Sequence, residues 1–332
     1  MVNCEICQGP ARIVEDSYPG YVEGNTFKIV HCESCMVAYA LNREVPSGMY
    51  EAIYQNAERI PGYSRYRAYA SAIKLVPDPL KFLSSAEPMY WAVSDLLSRH
   101  GEKARLGKGI LEIGSGFGYL TYSLSKRGHS VLGIDLSQAA VDAAVARFGP
   151  YYRRVSMEEL QADPEQRFGI IILTEVIEHI ENPAEFLRGL LSLVAPGGAV
   201  IMTTPNRRSV ERNVTWNTDL PPVHMWWFSQ ASIEAMSRSL GCTTEFVDFL
   251  PFHRSVPFPK AEQLLRTSTF RTDYSIKNPE RRQLRVNVLR QLLRYVLLLT
   301  GVLPLIMSRR HPGQLENESS SGSLAVILHP QG

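Results

Sequence analysis

From Gly109 onward, short apolar runs alternate with amphipathic stretches, a pattern typical of strands connected by helices. Seven strands are predicted near 109–113, 130–135, 151–155, 169–173, 199–203, 243–249 and 323–329. Helices are predicted near 119–127, 138–148, 183–194 and 229–240, and a turn with helix-stop residues is predicted at Ala195-Pro196-Gly197-Gly198. The pattern therefore predicts an α/β fold built from parallel β-α-β units.

The segment before this domain, residues 46–108, is interrupted by prolines and rich in tyrosine, which predicts short helices leading into the main domain at 109–255. Its first part contains five tyrosines: Tyr50, Tyr54, Tyr63, Tyr66 and Tyr69. An aromatic cluster of this kind either covers a ligand or simply packs helices against each other. We expect the segment to act as a linker or as a cover over a binding site.

A long insertion at 256–320 separates the last two predicted strands, and the final strand lies in 321–332. Within the insertion, polar side chains share one helical face, opposite an apolar face made of Val288, Leu289, Leu292, Leu293 and Val296. The apolar stretch that follows, to residue 307, is too short to span a bilayer. Arginines flank the 283–307 segment at both ends: Arg281, Arg282, Arg285, Arg309 and Arg310. The segment is expected either to pack within the protein or a dimer, or to make peripheral contact with an anionic membrane.

Composition describes an ordinary globular protein, because 45% of the 332 residues are hydrophobic and 20% are charged. The formal net charge of +2 produces no strong field that would favour a polyanionic partner. The first residues, Met-Val-Asn-Cys, do not form a basic region followed by an apolar core. We therefore expect a cytosolic protein, with peripheral contact to the inner face of the membrane as an addition.

Four of the five cysteines form two Cys-x-x-Cys pairs within residues 1–45: Cys4, Cys7, Cys32 and Cys35. This spacing predicts a zinc ribbon, in which four thiolates hold a structural zinc ion that supplies the folding energy of a small unit. Disulfides are the alternative, but they are not expected in a reducing compartment. His31 could replace a thiolate, although a surface position suits it better, and Cys242 is expected in the core.

A glycine-rich turn, Gly114-Ser115-Gly116-Phe-Gly118, follows the strand that contains Glu112, and Asp135 ends the next strand. Glycines let a backbone approach a nucleotide-like ligand closely, and a carboxylate can accept both hydroxyl groups of a ribose. The third glycine comes one position earlier than in the dinucleotide-binding fingerprint, so a NAD-dependent oxidoreductase is disfavoured.

These residues resemble the first motif of class I S-adenosylmethionine (SAM) methyltransferases, acidic-x-Gly-x-Gly-x-Gly. The resemblance implies a Rossmann-like sheet of seven strands with the last strand antiparallel. It also implies that the glycine turn holds the methionine part of SAM and that Asp135 holds the ribose. The remaining cofactor contacts implied at the strand ends are Glu112, Ser115, Leu136, Ser156, Met157 and Glu175.

The fourth strand ends in a second motif, Glu175-Val-Ile-Glu178-His179, and one helical turn would place its three polar side chains on one side. Three interpretations stay open. His179 acts as a general base, or the group binds a divalent metal such as magnesium, or the motif forms a wall of the SAM pocket. The motif is similar to the Glu-x-x-Glu-His of ubiquinone-pathway O-methyltransferases and of small-RNA 2′-O-methyltransferases. That similarity implies a second histidine, for which His224 is the candidate.

The ribbon followed by a tyrosine-rich segment is also similar to bacterial zinc-ribbon methyltransferases of glycan, antibiotic and lipid-linked pathways. We expect methyl transfer to an oxygen, or less readily a carbon or nitrogen, of a small or lipid-linked acceptor. A ubiquinone-type aromatic O-methyltransferase is the alternative within this class. An RNA-binding protein is the alternative outside it, disfavoured because the ribbon carries six acidic residues and nucleic acid requires clustered lysines and arginines. No pattern indicates the oligomeric state.

Overall fold

The computed structural model describes residues 2–46, 48–60, 63–163, 165–207, 220–255, 268–277, 279, 284–302 and 322–331. Within them, the amino-terminal strands are β1 (Val2–Asn3), β2 (Pro10–Pro19), β3 (Thr26–Cys32) and β4 (Ala38–Ala40). Four helices follow: α1 (Met49–Asn56), α2 (Ser64–Ala72), α3 (Pro79–Ala86) and α4 (Pro88–His100). The short helices predicted for 46–108 are therefore present.

The second half of the fold alternates strands and helices. The strands are β5 (Ile110–Ile113), β6 (Val131–Asp135), β7 (Tyr152–Arg154), β8 (Phe168–Thr174), β9 (Val194–Pro205), β10 (Trp226–Trp227), β11 (Cys242–Phe246) and β12 (Ser323–Pro330). The helices are α5 (Tyr119–Lys126), α6 (Gln138–Phe148), α7 (Met157–Gln161), α8 (Pro183–Leu191), α9 (Gln230–Ser239), α10 (Leu250–Ser255) and α11 (Leu284–Leu299).

The main sheet has the strand order β11-β12-β9-β8-β5-β6-β7, and β12 runs antiparallel to both of its neighbours while the strands from β9 to β7 are parallel. This order confirms the predicted seven-stranded Rossmann-like fold with a reversed last strand. One local prediction was wrong. Residues 195–198 lie inside β9, where a register shift accommodates them and Gly197 has φ 77°, instead of forming a turn before the strand.

The central strands β5 and β8 are buried on both faces because helices cover the sheet from both sides, whereas the edge strand β7 exposes two arginines. Leu111, Ile171 and Leu173 point to one face, which is covered by α7–α9 and by the amino-terminal strands. Ile110 and Ile172 point to the other face, which packs against α2–α6 and Tyr295 of α11. Helix α4 is therefore part of the layer around the sheet, although it precedes the domain boundary predicted at residue 109.

The amino-terminal strands form a second sheet with the order β1-β2-β3-β4-β10. Its fifth strand, β10, comes from the chain between β9 and α9, so the ribbon predicted at 1–45 shares a strand with the rest of the protein. The insertion also contacts the loop between β2 and β3, since the backbone N–H groups of Thr269 and Phe270 donate to the carbonyl of Tyr21. The predicted residues 303–307 and the flanking arginines outside 284–302 lie beyond the described residues.

Candidate functional site

The glycine turn between β5 and α5 adopts a backbone that only glycine accepts easily. Gly114, Gly116 and Gly118 have φ values of 71°, 50° and 80°. A Cβ on Gly114 would lie 2.7 Å from Val176 Cγ2, and a Cβ on Gly118 would lie 2.7 Å from the Cβ of Ala144. Close packing and positive φ therefore both explain the spacing, and the turn brings backbone N–H groups to the carboxyl edge of the sheet.

Asp135 ends β6 and points at this turn. Its carboxylate accepts hydrogen bonds from the N–H of Gly116 at 2.8 Å and of Ser137 at 2.9 Å. The hydroxyl of Tyr54 in α1 also donates to it, at 3.4 Å. Burial raises the pKa of Asp135, while these three hydrogen bonds oppose the shift. The structure thus places Asp135 beside the glycines, with α1 lying over both.

Glu112 and Ser115 are buried at the base of the turn. The Glu112 carboxyl accepts a hydrogen bond from the Thr121 hydroxyl in the first turn of α5. Burial raises the pKa of Glu112 to about 8, although the hydrogen bonds from Thr121 oppose the shift. Among the described residues, the buried Ser115 hydroxyl has no hydrogen-bond partner. Glu112 therefore supports α5, while Ser115 offers a polar atom to a ligand in the turn.

The other predicted cofactor residues lie at the same edge with different roles in the fold. Leu136 directly follows Asp135 and is 73% exposed. Ser156 caps α7, because its hydroxyl accepts from the N–H of Glu159 and its own N–H donates to the Glu159 carboxylate. Met157 is partly buried against the core. Cofactor contact by these three residues stays a prediction.

The Glu-x-x-Glu-His segment does not form the expected α-helical turn. Glu175 has φ 55°, and a short 3₁₀ helix covers Ile177–His179. Glu175 turns toward β9, where the Thr203 hydroxyl donates to its carboxylate at 3.0 Å. Burial raises the pKa of Glu175 to about 7, against the effect of this hydrogen bond. A left-handed backbone at a non-glycine residue costs about 1–3 kcal/mol and occurs mostly at functional sites.

Glu178, His179 and His224 form a compact group in which one ligand atom of each lies within 4.8 Å of the others. His179 Nε2 is 3.9 Å from Glu178 Oε1, and the two imidazole rings are 4.6 Å apart. The Glu178 side chain is fully buried, and its other carboxylate oxygen accepts a hydrogen bond from Thr204 at 3.0 Å. The sequence predicted these three residues together, but it also placed Glu175 with them.

The hydrogen bonds define the tautomer of His179. A backbone carbonyl only accepts, so the bond between His179 Nδ1 and the Val223 oxygen requires a proton on Nδ1. Nε2 then carries the lone pair and faces Glu178. Burial lowers the pKa of His179 to about 4 and that of His224 well below its usual value. The group therefore presents two neutral imidazoles at neutral pH, beside the buried carboxyl group of Glu178.

Three further residues at this edge lie outside the predicted catalytic and cofactor residues, although Tyr50 belongs to the tyrosine cluster expected to cover a ligand and Thr204 begins a segment expected to face the substrate. Thr203 and Thr204 end β9 and hold the two glutamates. Their position at the carboxyl end of a central strand was the available signal. Tyr50 of α1 lies edge-on to His179, with ring centroids 6.2 Å apart. A cleft lined by Gly101, Lys108 and His129 lies at the opposite edge of the sheet and does not involve these groups.

The four amino-terminal cysteines fit a metal site. Cys4 Sγ is 3.7 Å from Cys35 Sγ, and Cys7 Sγ is 3.6 Å from Cys32 Sγ. Tetrahedral zinc with Zn–S bonds of about 2.3 Å requires sulfur atoms about 3.8 Å apart. A disulfide requires about 2.05 Å, so the thiols are not arranged as disulfides. The geometry is compatible with the predicted zinc ribbon.

A protein-family model described as "Methyltransferase domain" matches residues 86–245. A ubiquinone biosynthesis O-methyltransferase of Alkalilimnicola ehrlichii is 39% identical over 108 residues, which are 30% of this chain and 43% of that protein. One from Pseudomonas aeruginosa is 37% identical over 114 residues, which are 32% of this chain and 48% of that protein. The chain thus spans less than half the length of these curated relatives.

A solved SAM-dependent methyltransferase from Archaeoglobus fulgidus is 16% identical, covering 71% of this chain and 93% of that one, with a TM-score of 0.39. Because this TM-score is low, the fold assignment of this chain rests on its own strand order. The residues matched by the family model include both the glycine turn and the Glu-His group.

Proposed function

We propose that this chain, which carries a class I SAM-dependent methyltransferase domain, transfers the SAM methyl group to an oxygen of a small or lipid-linked acceptor. One observation carries the proposal. The glycine turn with Asp135 and the group Glu178, His179 and His224 lie at the same carboxyl edge of the sheet, so a methyl donor and an acceptor have adjacent sites.

The residues of the glycine turn suit SAM. The peptide groups of 114–118 would hold the methionine part, with the Ser115 hydroxyl as an additional polar contact, and Asp135 would hold the ribose hydroxyls. SAM supplies a reactive sulfonium methyl group, so the protein mainly has to align donor and acceptor and exclude water. Tyr54, which already donates to Asp135, would cover the ribose.

For the acceptor side, we propose that Glu178, His179 and His224 hold a divalent cation. A metal-bound histidine usually donates its other N–H to a carbonyl or carboxylate, as His179 does to Val223. A pKa of about 4 makes His179 a weak general base for a hydroxyl group. Two imidazoles favour a transition-metal ion or zinc over magnesium. Such a cation would lower the pKa of an acceptor hydroxyl.

Calorimetric titration with S-adenosylhomocysteine (SAH) and with NAD tests the donor assignment. We expect saturable SAH binding and none for NAD. Asp135→Ala should weaken SAH binding by roughly 10- to 100-fold, because it removes charged hydrogen bonds worth about 1.5–3 kcal/mol. The exposed Asp142, which bonds only Gln138 among the contacts described, provides the control Asp142→Ala. NAD binding without SAH binding would refute the proposal.

A ubiquinone-type aromatic acceptor is the second candidate, supported by the identity to ubiquinone biosynthesis O-methyltransferases over about a third of the chain. Assays with a catechol and with a lipid-linked glycan as methyl acceptors separate the two candidates. An RNA acceptor is disfavoured by the net charge of +2, and binding of RNA that weakens steeply with salt would reinstate it.

The lipid-linked acceptor is supported by α11, which is apolar on two faces. Val288, Leu292 and Tyr295 pack on the protein, with the Tyr295 ring 5.6 Å from that of Phe82 in α3. A second stripe is exposed and has the spacing of one helical face: Val286, Leu289, Leu293 and Val296. The first face packs within the protein and therefore indicates neither a dimer nor a membrane contact. The exposed stripe is the face for which a binding partner has to be found.

We propose that this stripe lies on an anionic membrane surface. The exposed Arg285 and Arg290 border it on opposite sides, and α11 contains three arginines and no acidic residue. Two copies joined through this stripe would bring like charges together, whereas anionic lipid headgroups neutralise them. Within the described residues, no helix is long and apolar enough to cross a bilayer. Contact would therefore be peripheral, at a helix that rests on α2 and α3.

A further inference from the structure

Strand β10 lies between the ribbon and the Glu-His turn. On one side it completes the ribbon sheet, since Trp226 pairs with Tyr39 and Trp227 pairs with Ala38. The N–H of Ala40 also donates to the Met225 carbonyl at 2.9 Å. The ribbon therefore holds the segment that carries His224 through main-chain hydrogen bonds.

On its other side, the same segment holds the Glu-His turn. The N–H of Met225 donates to the Glu178 carbonyl at 2.9 Å, and the Val223 carbonyl accepts the His179 Nδ1 proton. The indole N–H of Trp226 donates to the Ile180 carbonyl at 2.8 Å, one residue after the turn. The carboxyl-terminal part of the turn, from Glu178 to Ile180, is thus tied to the segment from Val223 to Trp226.

Trp226 contacts both the ribbon and the Glu-His turn. It is 1% exposed, and its ring stacks on Tyr39 at 4.9 Å and on Phe228 at 5.9 Å. The Arg43 guanidinium lies 4.7 Å from its ring centroid. A second link lies nearby, because the Ser229 hydroxyl donates to the carbonyl of Cys35 at 2.7 Å. The backbone of Cys35, one of the four ribbon cysteines, is therefore hydrogen-bonded to a residue five positions after His224.

We infer that the ribbon is a positioning element for the acceptor site, and that Trp226 is the positioning residue through which the ribbon orients His179 and His224. The inference rests on the proposed acceptor site but adds a role for the ribbon that methyl transfer itself does not require. The glycine turn and Asp135 make no described hydrogen bond to β10. Disturbing Trp226 should therefore affect the acceptor side and spare the donor side.

Trp226→Phe tests this inference, because phenylalanine keeps an aromatic ring and removes the donor to Ile180. Its matched control is Trp227→Phe on the same strand, since the Trp227 indole N–H has no hydrogen-bond partner among the described residues. Three measurements are made on the full-length, zinc-loaded protein. They are SAH affinity by calorimetry, Mn²⁺ affinity by electron paramagnetic resonance, and the NMR signals of His179 and His224, assigned with His→Gln variants.

For Trp226→Phe we expect SAH affinity to stay within about twofold, Mn²⁺ affinity to fall roughly tenfold, as for one lost hydrogen bond, and both histidine signals to shift. Trp227→Phe should change none of the three. Removing zinc from the ribbon with a chelator should shift the same histidine signals as Trp226→Phe. Unchanged histidine signals in Trp226→Phe, or equal effects of both tryptophan variants, would overturn the inference.

The experiments distinguish a failure of the proposed function from a failure of the positioning role of Trp226. If the unaltered protein binds neither SAH nor Mn²⁺, the proposed function is wrong, while the histidine signals still report whether the ribbon positions these side chains. If SAH and Mn²⁺ bind normally to Trp226→Phe, the proposed function survives and the positioning role is refuted.

Discussion

Replacing Leu289 of α11 with glutamate isolates the proposed membrane contact. The residue is 68% exposed, so the substitution disturbs little of the protein's own packing. Complete burial of a leucine side chain contributes about 1.5–3 kcal/mol, and two-thirds of that contributes about 1–2 kcal/mol. Glutamate also brings a negative charge toward anionic lipid. We expect Leu289→Glu to weaken membrane binding roughly tenfold, and Leu289→Glu with Leu293→Glu roughly a hundredfold.

Sedimentation with vesicles of phosphatidylcholine alone, or with one-third phosphatidylglycerol, measures the contact. The unaltered protein should prefer the anionic vesicles, and the preference should weaken as salt increases. Leu75→Glu is the matched control, because Leu75 is 67% exposed but lies outside α11. Melting temperatures of all variants establish that each is folded.

Two results would refute this reasoning. One is equal weakening by Leu75→Glu and Leu289→Glu, which would make the effect a general one of surface charge. The other is a protein that binds no vesicles but dimerises, with the dimer lost in Leu289→Glu. The exposed stripe of α11 would then be covered by a second copy.

Three more predictions concern the interior. Thr204→Val should cost about 1–3 kcal/mol in urea unfolding because it removes a donor to the buried Glu178 carboxylate, whereas the exposed Thr243→Val should cost far less. Cys32→Ser should lower the zinc content measured by atomic absorption and lower the melting temperature, and unchanged zinc would exclude the four-thiol site. The pKa of Glu112, raised to about 8 in the folded protein, should make stability decline as pH rises from about 4.5 through 8. Glu112→Gln should flatten that decline between pH 5 and 8.5, and an unchanged slope would assign it to another group.

The centre of the sheet was predictable because strands covered on both faces are nearly continuous apolar runs, as β5, β8 and β12 are. The more polar edge strands β7 and β11 were predictable from their place in the alternation of strands and helices. The glycine turn was predictable because backbone chirality restricts a turn of this kind to glycine, and Asp135 was predictable because it ends the next apolar strand. Both features depend on local residue types, which a single sequence displays directly.

The details that were missed depend on the local backbone or on distant contacts. The positive φ of Glu175 turns its side chain away from Glu178, and a helical periodicity does not describe such a residue. Strand β10 has two residues, too few for any alternation to appear. In α11, Leu289 and Leu292 are the same residue type, and only the packing on α2 and α3 decides which is buried.

Strand β12 has a consequence for how the chain folds. Leu328 pairs with Val200 on one side and with Thr244 on the other, so β12 joins β9 to β11 only after the whole insertion has been looped out. Contacts between such distant positions form slowly. Until they form, β9 has a free edge beside apolar residues, which is a template for pairing with other chains. The refolding yield should therefore fall as the protein concentration rises. The insertion that carries α11 determines how long the edge of β9 stays unpaired and able to aggregate.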